Sequence, residues 1–296
     1  MIKSFFDEKK ITYKENVSLK NYNTYKVNTF CSYLVFPKDE EELITIIKKA
    51  KKEKINYLIL GNGSNIILSK PYFEGIVIKL DNLCKIEYKK NIVTVGAGYP
   101  LIKLAIETIN KGLSGLTFAA GIPGCVGAST AMNAGAYNSD MSSVVKSVRV
   151  LNKKLEIETL TNQELAYEYR DSFLKRNKEY IVLSTTFELQ PGDKTAMQNQ
   201  IEERRKKRLA SQPLNMPNAG SVFRNPENMY AGELIEKSNL KGFSIGGAKV
   251  SEKHANYIIN TGNATGEDII KLINKVQNKV KENYNVELKL EQIIIE

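Results

Sequence analysis

Two glycine-rich stretches and a handful of scattered polar side chains are the parts of this sequence that could do chemistry. Gly61-Asn62-Gly63-Ser64-Asn65 could turn several backbone N–H groups toward an anion, and Gly121-Ile122-Pro123-Gly124-Cys125-Val126-Gly127 could bring bare backbone close to a second part of a ligand. A tight structural turn is the alternative reading of each. Two such loops flanking strands suit a diphosphate cradle, but not a familiar one. Gly96-x-Gly98 and Gly61-x-Gly63 have Leu101 and Ile66 where a Rossmann fingerprint needs its third glycine. The chain also lacks the GxxxxGK of a P-loop.

Other candidates are weaker on spacing alone. Gly242-Phe243-Ser244-Ile245-Gly246 fits GxSxG, yet a nucleophile elbow needs strand, sharp turn and helix. Here a helix should end near Leu240, and strand-like Ala248-Lys249-Val250 follows, so a serine hydrolase is disfavoured. His254 is the only histidine, which excludes a zinc cage or histidine relay, and no metal site is expected. Cys31, Cys84 and Cys125 are odd in number and far apart, as free thiols of a reducing cytosol would be. Arg170 follows Tyr167 and Tyr169 and reads as a stacked or ion-paired arginine. Ser221, in Asn218–Pro226, reads as a hydroxyl bonding its own turn. Alternation through a final strand sets Glu291 with Lys289 and Ile293, opposite Leu288 and Leu290, as a half-exposed carboxylate. Spacing marks none of the three as catalytic.

The elements that must position these residues are of mixed type. Asp39 should cap a helix, with Glu42 three residues on and Leu43, Ile46, Ile47 and Ala50 on one face. Strands are expected at 55–60, 75–80, 85–89, 92–95, 144–151, 155–160 and 180–189, with a helix around Leu101–Ile109. A basic helix over about 194–210 leads into the loop 212–217. Beyond it come a strand at 255–260, a helix opened by Thr265 with Ile269, Ile270, Ile273, Val276 and Val280 on one side, and a strand over about 286–295. There is no regular βαβ alternation, so the texture is α+β.

Length and composition narrow the function. With 296 residues and 42% hydrophobic content, the chain suits two or three packed units rather than a disordered protein. The net charge of +10 admits nucleic acid, a membrane surface or an anionic substrate. Only seven of the 43 basic residues are Arg, the side chain that base reading favours. The densest basic run, 202–208, also carries its own i,i+4 acid–base pairs, as a solvated helix face does. Nucleic acid is therefore not the expected partner. The stretch Gly112–Ser139 has no charge, but its six Gly, a Pro and many Ser, Thr and Asn read as packed loops rather than a membrane span. The N-terminus has no apolar core of a secretory signal.

Taken in order, several segments resemble the UDP-N-acetylenolpyruvoylglucosamine reductases (UDP-N-acetylmuramate dehydrogenases), flavoenzymes of peptidoglycan precursor synthesis. They are Asn23–Val27, Leu60–Asn65, Gly112–Leu116, Ala120–Gly124, Met132–Tyr137, Tyr169–Ser172 and Ala219–Pro226, ending at Glu291. The resemblance implies a two-part FAD-binding unit of the p-cresol methylhydroxylase/vanillyl-alcohol oxidase type, residues 1–80 and 81–192, with an α+β substrate domain over 193–296. It implies FAD held by Gly61, Asn62, Gly63, Ser64, Asn65, Gly121, Ile122, Gly124, Gly127 and Ala128, with backbone N–H groups on the diphosphate. It implies NADPH as reductant and an enolpyruvyl UDP-sugar as substrate, in a cytoplasmic monomer.

Under the same resemblance Arg170, Ser221 and Glu291 are the catalytic residues. Hydride addition beside a carboxylate builds up enolate charge, which a permanent cation such as Arg170 stabilises. Ser221 matches the proton donor, and Glu291, beside a substrate carboxylate, would hold or share a proton. Tyr169, Arg224, Asn225 and His254 match substrate contacts. The chain departs from the family pattern at Arg224, where Lys is common, and at Ala128, where Gly is usual. The short run from Arg170 to the next strand leaves no room for the tyrosine-bearing inserted loop, which implies the short class. The alternatives are another flavin oxidase on the same scaffold and a basic nucleic-acid-binding protein.

Overall fold

The computed structural model describes residues 2–296. The chain packs as two compact units. Unit 1 takes in the chain up to Glu15, then Tyr33–Gly61 and Gly75–Arg205. Unit 2 comprises Asn16–Ser32, Asn62–Glu74 and Lys206–Glu296.

Unit 1 is built on a five-stranded antiparallel sheet in the order Ile157–Thr161, Val145–Leu151, Ile181–Glu188, Ile92–Gly96, Ile86–Lys89. The central strand Ile181–Glu188 is buried along nearly its whole length, while the edge strand Ile157–Thr161 alternates between half-buried and exposed. That contrast is the signature of a covered centre and a solvated edge. The helices Leu101–Asn110 and Val126–Met132 bury Leu101, Leu104, Ala105, Ile109 and Val126 in this unit's core. A parallel pair, Tyr57–Leu60 with Ile76–Lys79, adds a second layer. The helix Glu40–Glu53 buries the expected Leu43, Ile46, Ile47 and Ala50 against it. Its cap differs in detail from a reciprocal box. Asp39 accepts the Glu42 N–H at 2.8 Å, but the Glu42 carboxylate takes the N–H of Lys38.

Unit 2 has less regular structure. Three short antiparallel strands, Ser244–Ile245, Ala248–Val250 and Ile258–Asn260, meet the amphipathic helix Gly266–Tyr284. The helix opens on a full capping box between Thr265 and Asp268. Its buried stripe runs Ile269, Leu272, Ile273, Val276 and Val280, so Leu272 takes the place expected for Ile270. Two strand expectations are corrected here. The 255–260 strand begins only at Ile258, because Tyr257 N–H closes a turn onto His254. The final strand is broken: Leu290 makes an isolated antiparallel bridge with Phe223, and only Ile293–Ile295 forms a strand, parallel to Ile66–Leu68. The GxSxG serine, Ser244, lies in a strand followed by a turn and another strand, the wrong setting for a nucleophile elbow. Among the described residues no helix is long and apolar enough to cross a membrane.

Candidate active site

Gly61, which opens the first glycine segment, meets the second segment within unit 1. A Cβ built on Gly61 would lie 2.8 Å from Cys125 Sγ and 3.3 Å from the Ala128 methyl, so the turn after Tyr57–Leu60 backs directly onto the second segment. This settles the departure at position 128, since the Ala128 methyl fills the space a side chain at 61 would need. The second segment is pinned by backbone bonds. Leu101 N–H donates to Gly124 O, Val126 N–H to Tyr99 O and Gly127 N–H to Ala97 O. The Ile122 N–H donates to Ala119 O. The N–H groups of Ile122 and Gly127 are thus satisfied within the fold. Buried Gly127 acts by allowing close packing, since a Cβ there would meet the Ala97 Cβ at 2.7 Å.

The first turn is different. Gly63 has φ +63°, and a Cβ there would meet Tyr22 O at 2.3 Å, so only glycine fits. Its carbonyl accepts the Thr24 N–H at 3.1 Å, which ties the turn to the Asn23–Val27 motif. Among the described residues no protein acceptor takes the N–H of Asn62, Gly63 or Ser64. Donors left unspent on an irregular turn are what an anion-binding nest requires. This fits a bound diphosphate.

Arg170 sits at the tip of a tight turn in unit 1. Glu168 and Asp171 exchange backbone hydrogen bonds at 3.0 and 3.1 Å across it. Arg170 itself has φ +57°, a strained conformation for a residue with a side chain. Its guanidinium donates to Gly135 O at 2.6 Å and lies 5.2 Å from the centroid of exposed Tyr169. Asn133 braces the turn by donating to Glu168 O. The Lys175 ammonium holds the Arg170 carbonyl at 2.7 Å.

Unit 2 brings Ser221 and Glu291 onto adjoining stretches of chain. Glu291 N–H donates to Val222 O, and Arg224 N–H donates to Lys289 O, both at 2.9 Å. The turn residue Asn65 donates its amide to Glu291 O, and Ile293 N–H donates to Asn65 O. Expected cofactor and catalytic residues are thus joined within one unit. Ser221 is fixed from both sides. Gln292 donates to Ala219 O and Gly220 O, and Asn256 O accepts the Val222 N–H. Asn225 caps the helix Ala231–Lys237 by accepting the Ala231 N–H at 3.1 Å. His254 packs on Tyr257, and its Nδ1 accepts the Asn256 N–H at 3.2 Å. Burial, helped by the Lys241 ammonium, pushes the imidazole below its usual pKa.

Spacing gave no warning of Asn256, Gln292 or Lys79, all of which prove to support these loops. Tyr25, inside the Asn23–Val27 motif, donates its phenol to Gln292 at 3.0 Å. A lysine in the apolar run 76–80 was the one available signal for Lys79. Among the described residues no group of three or more His, Cys, Asp or Glu is placed to hold a metal ion.

Residues 31–161 match the FAD binding domain family, and residues 212–295 match the C-terminal domain of UDP-N-acetylenolpyruvoylglucosamine reductase. With a glycine turn of unspent N–H groups, these matches define an FAD-dependent oxidoreductase. The fold is shared with a glucooligosaccharide oxidase from Acremonium strictum, at TM-score 0.51 and 11% identity over 98% of this chain and 60% of that one. The particular family follows from nearer relatives. UDP-N-acetylenolpyruvoylglucosamine reductase of Bacillus pumilus is 41% identical over 95% of this chain and 93% of its own length. That of Caldanaerobacter subterraneus is 42% identical over 92% and 90%. The crystal structure of the Thermus caldophilus enzyme superposes with TM-score 0.83 at 30% identity, covering 97% of this chain and all of that one. The chain belongs to the UDP-N-acetylenolpyruvoylglucosamine reductase family.

Proposed function

We propose that this chain reduces the enolpyruvyl double bond of UDP-N-acetylglucosamine enolpyruvate to give UDP-N-acetylmuramate, with NADPH as reductant, as a cytoplasmic monomer. Residues 1–80 and 81–192 hold FAD, and 193–296 bind the UDP-sugar. Bound FAD, once reduced by NADPH, supplies the hydride from N5.

The chain's own residues must then handle the charge that follows. Hydride addition leaves an electron pair on the carbon that bears the substrate carboxylate. Arg170 stabilises that enolate, its guanidinium already oriented by Gly135 O. Ser221 delivers the proton to the carbon. Glu291 sits beside the substrate carboxylate, where it holds or shares a proton. Tyr169, Arg224, Asn225 and His254 contact the sugar nucleotide. The observation that supports the reading is the backbone bond from Glu291 N–H to Val222 O, which runs the Glu291 stretch alongside the stretch that holds Ser221.

Half-reaction kinetics of Ser221→Ala test it. NADPH should bleach the flavin of the variant at the wild-type rate. Reoxidation by the enolpyruvyl sugar should slow by roughly 10²–10⁴-fold, the usual worth of a positioned acid. Full rates in both halves would remove Ser221 as proton donor. Wild-type protein that NADPH cannot bleach would remove the nucleotide assignment. A wild-type flavin that the sugar cannot reoxidise would remove the substrate.

A further inference from the structure

Lys79 ends the strand Tyr72–Lys79 and is only 5% exposed. A lysine this deeply buried is rare unless its charge is used. Its ammonium donates to Gly61 O at 2.6 Å and lies 3.2 Å from Asp81, which is itself exposed. Gly61 opens the turn whose next three N–H groups find no protein acceptor among the described residues. In a trans peptide the C=O and the N–H point in opposite directions. A Gly61 carbonyl held inward by the ammonium therefore turns the Asn62 N–H outward, and Asn62 is exposed. The cation also polarises that peptide, which makes its N–H a better donor.

We propose that Lys79 is a positioning residue for the FAD diphosphate: its buried ammonium locks the Gly61–Asn62 peptide so that the turn offers its N–H groups to the anion. The inference rests on the reading that the 61–65 turn carries the diphosphate. It also gives a buried cation a purpose that the Asp81 pair alone does not, since exposed carboxylates contribute little.

Titration of deflavinated protein tests the assignment, with FAD and riboflavin as the two probes followed by flavin fluorescence. Lys79→Met should weaken FAD binding by roughly 10–100-fold, the loss of one charge-assisted hydrogen bond. Riboflavin, which lacks the diphosphate, should bind the variant as it binds wild type. Asp81→Asn should change neither affinity by more than about twofold. An unchanged FAD affinity in Lys79→Met overturns the proposal, and so does an equal loss for FAD and riboflavin. If the Met variant does not fold, Lys79→Gln decides. Its amide can still donate to Gly61 O, so a loss confined to FAD and smaller than about tenfold supports the role. An equal loss of both ligands again overturns it. A separate outcome bears on the underlying reading: wild-type protein that binds FAD no better than riboflavin shows that the turn holds no diphosphate.

Discussion

The glycine segment of unit 1 and the Ser221 segment of unit 2 are irregular stretches held by different means. Residues 121–127 lie against regular structure, and their own peptide groups do the holding, through the bonds to Tyr99, Ala97 and Leu101. Residues 218–225 have no long strand beside them. Backbone bonds at Val222 and Arg224 hold part of the stretch, and side-chain amides hold the rest: Asn256 accepts the Phe223 N–H and donates to Phe223 O, and Gln292 ties Ala219 to Tyr25. Asn23 and Asn260 do the same for the 19–27 stretch. A carboxamide carries a donor and an acceptor much as a peptide group does, so it can replace a missing strand. The cost is concentration of risk, because one side chain then satisfies several buried backbone groups. Unit 1 uses the device too where its own backbone cannot reach: Asn133 braces the Arg170 turn, Asn152 accepts the N–H groups of Lys154 and Glu156, and Asn162 donates to Ser142 O and Val145 O.

The largest effect should come from removing one such amide. Asn256→Leu keeps the volume but strands the N–H and C=O of Phe223, a residue only 2% exposed. Each buried group left unsatisfied costs about 1–3 kcal/mol, so a loss of about 3 kcal/mol is expected in urea unfolding. A loss below about 1 kcal/mol would mean that the amides decorate the loop rather than hold it.

A steric change should be felt in the glycine segment instead. Gly61→Ala puts a methyl 2.8 Å from Cys125 Sγ, which overpacking data place at about 1–3 kcal/mol. Cys125→Ala removes that sulfur and should restore much of the loss. A double-mutant cycle should therefore give a coupling of about 1 kcal/mol. Additive effects would show that the two glycine segments do not bear on each other as the structure has them.

The same contrast explains what the sequence disclosed. Local signals were readable: the Asp39 and Thr265 caps, the 3.6-residue stripes, and the long basic helix that forms over Lys194–Ser211. The glycine turns stood out because a left-handed φ or a close approach excludes other residues. The amide braces did not, since Tyr25 and Gln292 are 267 residues apart and an isolated Asn or Gln looks like surface. Alternation places Glu291 in one continuous strand. The chain instead changes partner there, from Phe223 at Leu290 to Ile66 at Ile293, and Gln292 turns inward between them. Alternation cannot report a change of partner. Arg170 was legible as a stacked arginine, but not the left-handed turn that carries it.

The smallest expected effect separates the two means of support by pH. A peptide–peptide bond does not titrate, whereas one link of the unit 2 bracing does. His254 Nδ1 accepts the Asn256 N–H, and a protonated ring has no lone pair to accept with. Burial first, and then the Lys241 ammonium, lowers the pKa of this histidine in the fold, while Glu236 opposes the shift. The unfolded chain therefore binds the proton more readily than the folded one. The stability contributed is present in full above the ordinary histidine value of about 6.5 and is lost as pH falls through the lower folded value. Urea midpoints of wild type compared with His254→Gln from pH 7.5 down to 5 should show it. Wild type should lose on the order of 1 kcal/mol more than the variant over that range, about one hydrogen bond. Parallel curves would mean that the imidazole is not part of the brace, and that Asn256 holds Phe223 without help from its own loop.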